Sequence, residues 1–410
     1  MHVGLVSPSW PPATASNGIV TYVAAMRKGL IAAGHRVSIF AMRHDGEPMG
    51  PDAYGVAATR SQRLRTFLRH RFLGRHVNVF DAAATLASCI GKVHARHPID
   101  IVECEESFGL FGRIRQATRV PVIVKLHGPA FVTLVREERA LSTGLEKIDR
   151  EGDALKGARA LTAPSRCTLR ETLAHYDLHP AIAEHVVNPV DLSDSPECWS
   201  AARAQRGVVL FVGRFDKVKG ADTLIRAFAT LLRERPAARL MFVGPDSGLV
   251  REDGPPLHFR QFVDSLDDPL VGERIDYMGR LERGVIAELR TRAAVTVVAS
   301  RRESQSYTAL EAMGQGCPIV VTDTSGLGEI VEDGVTGLKA APENPAALAA
   351  QIRRLLDDPA LGARLGANAR EYVLRAHSIE SVVARSVEVY ERVIRLSTQR
   401  DPGTRGRASP

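Results

Sequence analysis

The sequence feature that most constrains the fold is an alternation of short apolar runs with segments long enough to form helices. In the first half of the chain the runs are His2–Ser7, Arg36–Met42, Ile99–Cys104, Val120–Gly128 and Ala160–Ser165. Short, nearly continuous apolar runs are typical of strands buried on both faces of a parallel sheet. Because helix-length segments separate them, the pattern predicts βαβ units and a doubly wound parallel sheet.

The alternation begins again after a polar stretch that contains Pro189 and Pro196. The predicted strands of this second half are Val208–Arg214, Arg239–Gly244, Ile275–Gly279, Val295–Ser300 and Pro318–Asp323, and a helix is predicted at Ala221–Glu234. A chain of 410 residues is also longer than one ordinary core. The sequence therefore predicts an α/β fold in which two Rossmann-like domains, each a doubly wound parallel sheet, face a central cleft. Ligands of such sheets bind at the carboxyl ends of the strands.

The domain boundaries are placed where the first alternation weakens. We predict a first domain over residues 1–190 and a second over residues 191–376, joined by a linker near residues 191–206. A helix over residues 377–397 is predicted to pack back toward the first domain. Residues 398–410 have the composition of a disordered tail.

Composition excludes several classes of protein. Hydrophobic residues make up 44% of the chain and charged residues 25%, which is typical of a soluble globular protein. The opening lacks a basic segment followed by an apolar core, and no window holds about 18 consecutive apolar residues, so we expect a cytoplasmic protein. The five cysteines have no metal-binding spacing, so reduced structural thiols are expected; they are Cys89, Cys104, Cys167, Cys198 and Cys317.

The net charge of +7 is concentrated in one stretch, Arg60–Arg75. Its six arginines have no acid among them, and removing their charge leaves +1, so we expect no nucleic acid partner for the protein as a whole. Leucine and phenylalanine recur in the stretch at near-helical spacing, which makes it amphipathic. Three interpretations stay open: a solvated helix face, a peripheral contact with an anionic acceptor or the inner face of a membrane, and a nucleic-acid patch.

The segment FVGRFDKVKGADTL has the composition of an anion-binding loop after the first strand of the second half. Gly213 allows a tight exit from the strand, Arg214 and Lys219 supply two cations, and Gly220 precedes the next helix. The free amides at the start of that helix also favour an anion, and a diphosphate would suit both. Taken alone, the two cations could instead be solvated surface residues.

The segment ESQSYTALEAM carries two acids, which a chain buries reluctantly. If a helix is capped within Ser306–Thr308, Glu303 lies on the preceding loop and Glu311 lies in the first turns. The acids then point at different parts of one ligand, while the amides between them face an anion. A nucleoside diphosphate sugar has this layout of sugar, diphosphate and ribose. Alternatively, Ser306 and either acid could form only a helix cap and a surface salt bridge.

Together these segments resemble a known family. The segments GRFDKVKG, LEAMGQGCPIVVTD, GLGEIVEDGVTGL and GHRVSIF, with Glu303 and Glu311 eight positions apart, are similar to the retaining glycosyltransferases of family 4, which have the GT-B fold. The resemblance extends to about Val393. It is specific in the second half of the chain and looser in the first.

The resemblance implies a role for each matching residue. Arg214 and Lys219 would bind the donor diphosphate and stabilise charge on the leaving group. Glu311 would hold the ribose hydroxyls, and Glu303 would contact hydroxyls of the transferred sugar. The other substrate-binding positions are Gly18 at the diphosphate, His127 at the reacting sugar, Arg280 at the base, and the amides of Ser306, Tyr307 and Thr308. The implied catalytic residues are His127, Arg214, Lys219 and Glu303.

Two short segments depart from the family pattern. Asn17 and Gly18 stand where the family often has two glycines, and Ser304, Gln305 and Ser306 stand where it often has Gly-Phe-Gly. Binding through backbone amides survives such changes, whereas side-chain contacts to the sugar are altered.

The resemblance implies a retaining, metal-independent transferase without a cofactor, which moves a hexose-type sugar from a nucleoside diphosphate sugar, UDP being favoured over GDP. The hydroxyl-bearing acceptor would belong to a bacterial glycan, a glycolipid or a secondary metabolite. The alternatives are a nucleotide-sugar epimerase or phosphorylase on the same frame, and a non-catalytic nucleotide-sugar-binding protein. A dinucleotide dehydrogenase is disfavoured because GLVSPSW lacks the GxGxxG pattern expected after the first strand.

Overall fold

The first half of the chain forms a parallel sheet. The computed structural model describes residues 1–12, 17–42, 50–55, 79–134, 142–193, 197–251 and 254–398. Within these residues the strands of the first sheet are β1 (His2–Ser7), β2 (Arg36–Ala41), β3 (Ala53–Gly55), β4 (Ile101–Glu105), β5 (Val122–Lys125), β6 (Ala160–Ala163) and β7 (Ile182–His185). Their order is β3-β2-β1-β4-β5-β6-β7, and the neighbours pair in parallel.

Helices connect these strands and cover both faces of the sheet. They are α1 (Gly18–Ala32), α2 (Val79–Arg96), α3 (Phe111–Thr118), α4 (Ala130–Thr133), α5 (Ser142–Leu155) and α6 (Arg166–His175). Alternate residues of β1 explain the apolar run: Val3 and Leu5 join a core with α1, whereas Val6 joins a core with α2 and α3. Every position of the strand is therefore buried, as a strand with helices on both faces requires.

The second half repeats this architecture. Its described strands are β8 (Gln205–Val212), β9 (Arg239–Val243), β10 (Ile275–Gly279), β11 (Ala293–Val298), β12 (Ile319–Thr322) and β13 (Leu338–Ala340), in the parallel order β10-β9-β8-β11-β12-β13. The helices are α7 (Ala221–Glu234), α8 (Phe259–Asp264), α9 (Pro269–Arg274), α10 (Arg283–Arg292), α11 (Tyr307–Gly314), α12 (Ser325–Ile330), α13 (Pro345–Asp357) and α14 (Pro359–Ala376).

The last helix, α15 (Ile379–Thr398), returns to the first sheet and packs on α1. A Cβ atom built at Gly29 of α1 would lie 2.3 Å from the Ile379 side chain, so only glycine allows this approach. The Tyr390 hydroxyl donates a hydrogen bond of 2.8 Å to the buried Glu103 carboxylate, which also accepts one from Tyr22. The helix is thus attached to β4 and α1 by both apolar and polar contacts.

The predicted fold class is confirmed, and three strands escaped prediction. The two doubly wound parallel sheets are those expected from the alternation, and α7 has the predicted bounds. The missed strands β3, β7 and β13 have three or four residues each and lie at sheet edges. The predicted basic contact at Arg60–Arg75 and the predicted tail beyond Thr398 lie outside the described residues.

Candidate active site

The strand order of each sheet reverses once, between β1 and β4 and between β8 and β11. In doubly wound sheets the crevice at such a reversal is where ligands bind. The loops that follow β1, β8 and β11, together with the loop after β5, carry most of the residues implied by the family resemblance. Residues far apart in sequence therefore meet at the carboxyl ends of the two sheets.

The loop after β8 holds two cations beside one buried acid. Arg214 Nε lies 2.7 Å from the Asp216 carboxylate, which also accepts a 2.7 Å hydrogen bond from the Lys219 amide. Gly220 ends the loop with φ of 64°, and a Cβ atom there would lie 1.9 Å from the Ala299 carbonyl oxygen. The loop is therefore fixed against β11. Asp216 was not predicted as part of the site, yet it holds the Arg214 side chain and the backbone of Lys219.

Glu303 connects this cationic loop to the loop after β11. Its Oε1 atom lies 2.5 Å from Lys219 Nζ and accepts a 2.8 Å hydrogen bond from the Ser300 hydroxyl. The Glu303 backbone carbonyl accepts hydrogen bonds from Gly326 and Ser325, at the start of α12. The carboxylate is therefore held in one orientation next to a predicted diphosphate-binding cation.

Helix α11 begins where the hydroxyl-rich segment predicts. Ser306 is the N-cap, and its side chain accepts a hydrogen bond from the Ala309 amide. Tyr307 and Thr308 occupy the first positions of the helix, so their amides have no partner within it and favour an anion. The prediction that Glu303 precedes the helix and that Glu311 lies within its first turns is confirmed.

Glu311 is engaged by two arginines of α10. It accepts a 2.6 Å hydrogen bond from Arg290 and one of 3.1 Å from Arg283. The Arg290 side chain is only 3% exposed, which makes this pair partly structural, as the salt-bridge interpretation of the acid allowed. Arg280, the predicted base contact, is exposed directly after β10.

His127 stands on the first-sheet side of the cleft, just after β5. The amides of His127 and Gly128 donate hydrogen bonds of 2.7–3.0 Å to the buried Glu106 carboxylate. The imidazole meets the Tyr22 ring edge-on, with centroids 4.8 Å apart. Burial, helped by the Lys125 cation, lowers the pKa of His127 to about 3. The ring is therefore neutral at physiological pH and can hydrogen-bond a ligand without carrying charge.

The two halves of the chain touch through the loop between the acids. A Cβ atom built at Gly18 would lie 3.6 Å from the Tyr307 ring, and one at Gly128 would lie 3.3 Å from Ser304 Oγ. The Gln305 side chain accepts a 2.7 Å hydrogen bond from the Asn188 amide and donates one of 3.0 Å to the Pro164 carbonyl.

A second bridge between the halves runs from α12 to α6. The Glu329 carboxylate accepts hydrogen bonds from the amides of Arg166 and Cys167, at 2.8 and 2.6 Å. Glu329 lies in the segment GLGEIVEDGVTGL, whose family resemblance was noted, but its partner across the cleft carries no signal in the sequence. The contacts of Gly18 with Tyr307, and of Gly128 beside His127 with Ser304, bring these predicted parts of the site close to the loop that follows Glu303.

Two general properties of the described part of the chain bear on the type of site. The side chains of His, Cys, Asp and Glu there form no group of three or more that could hold a metal ion. None of the helices there combines the length and apolar character needed to cross a membrane.

Comparison with known proteins gives two family matches that together span most of the chain. Residues 16–194 match the model of Glycosyltransferase Family 4, and residues 200–372 match that of Glycosyl transferases group 1. The D-inositol 3-phosphate glycosyltransferase of Kineococcus radiotolerans is 30% identical over 430 residues, which cover 95% of this chain and 93% of that protein.

Solved structures share the two-sheet architecture. Sucrose-phosphate synthase from Thermosynechococcus elongatus matches with a TM-score of 0.72 at 22% identity, over 96% of this chain and 99% of that chain. HepE from Anabaena, solved with UDP-glucose, matches with a TM-score of 0.66 at 16% identity, over 97% of this chain and 100% of that chain. At these identities the likeness shows the fold, which is GT-B.

Proposed function

Because the chain belongs to glycosyltransferase family 4, we propose that it transfers a hexose-type sugar from a nucleoside diphosphate sugar to an acceptor hydroxyl, with retention of configuration. The observation that carries the proposal is the 2.5 Å contact between Lys219 and Glu303 at the start of α11. The Lys219 ammonium suits a phosphate, and the Glu303 carboxylate suits sugar hydroxyls. A donor bound across the pair would place its glycosidic phosphate bond between them.

UDP is the favoured nucleotide, since the similar fold of HepE was solved with UDP-glucose. The acceptor class is a hydroxyl-bearing bacterial glycan, glycolipid or secondary metabolite. Inositol phosphate belongs in an acceptor panel because relatives carry the name D-inositol 3-phosphate glycosyltransferase. A cytoplasmic location, with peripheral membrane contact through Arg60–Arg75, is the accompanying expectation.

The chemistry follows from where charge develops. Breaking the bond between the sugar and the phosphate leaves negative charge on the diphosphate, and Arg214, Lys219 and the first amides of α11 stabilise that charge without moving. The acceptor oxygen attacks the anomeric carbon on the face that the phosphate leaves, and a phosphate oxygen takes its proton. A pKa of about 3 makes the His127 imidazole a weak base, so it hydrogen-bonds the sugar and does not take the proton. No protein nucleophile or metal is required.

The test is acceptor-dependent release of nucleoside diphosphate by the purified full-length chain. We expect release with a UDP-hexose only when an acceptor from the panel is present, with a glycosylated product of matching mass. Conversion of the donor to an epimer without an acceptor would instead support an epimerase. Nucleotide-sugar binding without turnover across the whole panel would support the non-catalytic alternative.

A further inference from the structure

The loop between the two acids contains two hydroxyl groups that the fold leaves without partners. Among the described residues, Ser304 Oγ and Tyr307 OH are buried and make no hydrogen bond. A buried polar group without a partner loses its hydration and gains nothing in exchange, so such groups are rare unless a ligand or water completes them. The two hydroxyls flank the capped start of α11, at the centre of the candidate active site.

Two other polar side chains between the acids are already engaged. Gln305 spans the cleft to Asn188 and Pro164, and Ser306 caps α11. The loop therefore does not lack hydrogen-bonding groups in general. Its unsatisfied hydroxyls belong to the two residues that face glycines of the first half of the chain.

Ser304 lies on the sugar side of the site. Its Oγ atom would be 3.3 Å from a Cβ atom at Gly128, the residue after His127. Its carbonyl oxygen would be 2.0 Å from a Cβ atom at Gly326, so the backbone of Ser304 is closely fitted against α12. Ser304 therefore follows Glu303 in the chain and places its hydroxyl beside the residue after His127, and both Glu303 and His127 are implied to contact the transferred sugar.

Tyr307 lies on the nucleotide side. Its ring is 3.6 Å from a Cβ atom built at Gly18, and it stands one helical turn before Glu311, the residue implied to hold the ribose. Burial and the Glu311 carboxylate raise the pKa of Tyr307 far above its usual value. The hydroxyl therefore keeps its proton and can donate a hydrogen bond. A phosphate or ribose oxygen is the acceptor that this position would meet.

We propose that the Ser304 and Tyr307 hydroxyls are additional donor-recognition groups: Ser304 bonds a hydroxyl of the transferred sugar, and Tyr307 bonds the ribose–diphosphate part. The inference rests on the proposed function and deepens it. The family resemblance implies only backbone contacts for this loop, and glycine often occupies the position of Ser304. These side chains therefore add selectivity that the amides alone cannot supply.

The test compares Ser304→Ala, Ser304→Gly and Tyr307→Phe with the wild type in the full-length chain. Thermal unfolding without ligand should show unchanged or slightly raised midpoints, because neither hydroxyl has a protein partner to lose. We expect Tyr307→Phe to weaken binding of both UDP and UDP-glucose by about five- to tenfold, the effect of one hydrogen bond. Ser304→Ala should leave UDP affinity unchanged while lowering kcat/KM for UDP-glucose by a similar factor.

A matched control is Tyr54→Phe, which removes the hydroxyl of a half-buried ring that stacks on Phe40 at the edge strand β3. It should leave nucleotide affinity unchanged. If the wild type binds guanosine nucleotides and not UDP-glucose, GDP and GDP-mannose replace UDP and UDP-glucose as probes. The inference is overturned if the three variants bind and turn over the donor within about twofold of the wild type. It is also overturned if they lose stability without ligand while donor affinity stays unchanged.

The two proposals fail differently. A wild-type chain that binds neither UDP-glucose nor GDP-mannose removes the proposed function itself. A wild-type chain that transfers sugar, with variants that match it, removes only the roles of Ser304 and Tyr307.

Discussion

Glu311 shows how one residue can serve both the fold and a ligand. Its carboxylate forms ion pairs with Arg290 and Arg283, and the family resemblance implies that it binds the ribose hydroxyls of the donor. Arg290 is buried, so its charge needs a partner whether or not the donor is bound. The sequence predicted the position of Glu311 relative to the helix start, but not Arg290, because the two residues meet only when α10 packs beside α11.

Substitutions of Glu311 should separate these two roles. Glu311→Ala leaves the Arg290 charge buried without its carboxylate and should cost about 3 kcal/mol of stability. Glu311→Gln keeps a hydrogen-bond acceptor, so its thermal midpoint should stay closer to that of the wild type. Both should raise the donor KM by about tenfold if the carboxylate binds ribose. Thermal unfolding and donor titrations check this, and a normal KM in both variants would refute the ribose role.

At the scale of elements, burial on both faces explains which strands the sequence could predict. The central strands β1 and β4 are buried along their whole length because helices cover both faces of the sheet, and the mostly apolar runs that result are a local pattern. The edge strands β3, β7 and β13 are too short to show any periodicity and are defined by a single neighbour. Their pairing depends on the rest of the sheet, so no local signal could reveal them.

Buried carboxyls near the end of β4 make the stability of the protein depend on pH. Glu105 is buried, and burial together with the Glu106 carboxylate raises its pKa to about 8. Burial raises the pKa of Glu151 on α5 to about 8 as well. A carboxyl with a raised pKa in the folded state binds its proton more tightly there than in the unfolded chain. The contribution of such a carboxyl to the free energy of unfolding is therefore full below pH 4.5 and is lost as the pH rises through 8.

Glu105→Gln should make the protein less sensitive to pH in that window. The glutamine is neutral throughout, so the variant avoids the cost of ionising a buried carboxyl, which reaches about 4 kcal/mol at pH 8. We expect its thermal midpoint to fall by about 10 °C less than that of the wild type between pH 5 and pH 8. If the thermal midpoints of the wild type and of Glu105→Gln fall by the same amount between pH 5 and pH 8, Glu105 is not the source of the pH dependence.

At the scale of the whole molecule, loops of the candidate active site also hold the two sheets together. Gln305 and Glu329 stand on the second half of the chain beside the predicted donor site, and both bond backbone groups of the first half. The sequence marked the donor side of the cleft through Arg214, Lys219 and Glu303. It could not reveal the contacts across the cleft, because they join residues more than a hundred positions apart and involve backbone atoms that every residue possesses.

Glu329→Ala should loosen this connection. The amides of Arg166 and Cys167 would lose their acceptor, so their hydrogen exchange should accelerate by about tenfold. We expect the donor KM to rise severalfold, because the two halves that flank the candidate donor site would be held together less of the time. Glu371→Ala, which removes an exposed acid of α14, is the control and should change neither quantity. Unchanged exchange at both amides would show that Glu329 does not hold the halves together.

The most direct test of the central claim is the turnover number of Lys219→Ala with the preferred donor and acceptor. Lys219 is the cation that joins the proposed diphosphate-binding loop to Glu303, the acid proposed to contact the sugar. Its loss should therefore lower kcat by about 100-fold or more, with a smaller change in donor KM. Lys156→Ala, which removes an exposed lysine directly after α5, should retain wild-type turnover. A Lys219→Ala protein that is folded and turns over within about twofold of the wild type would contradict the account.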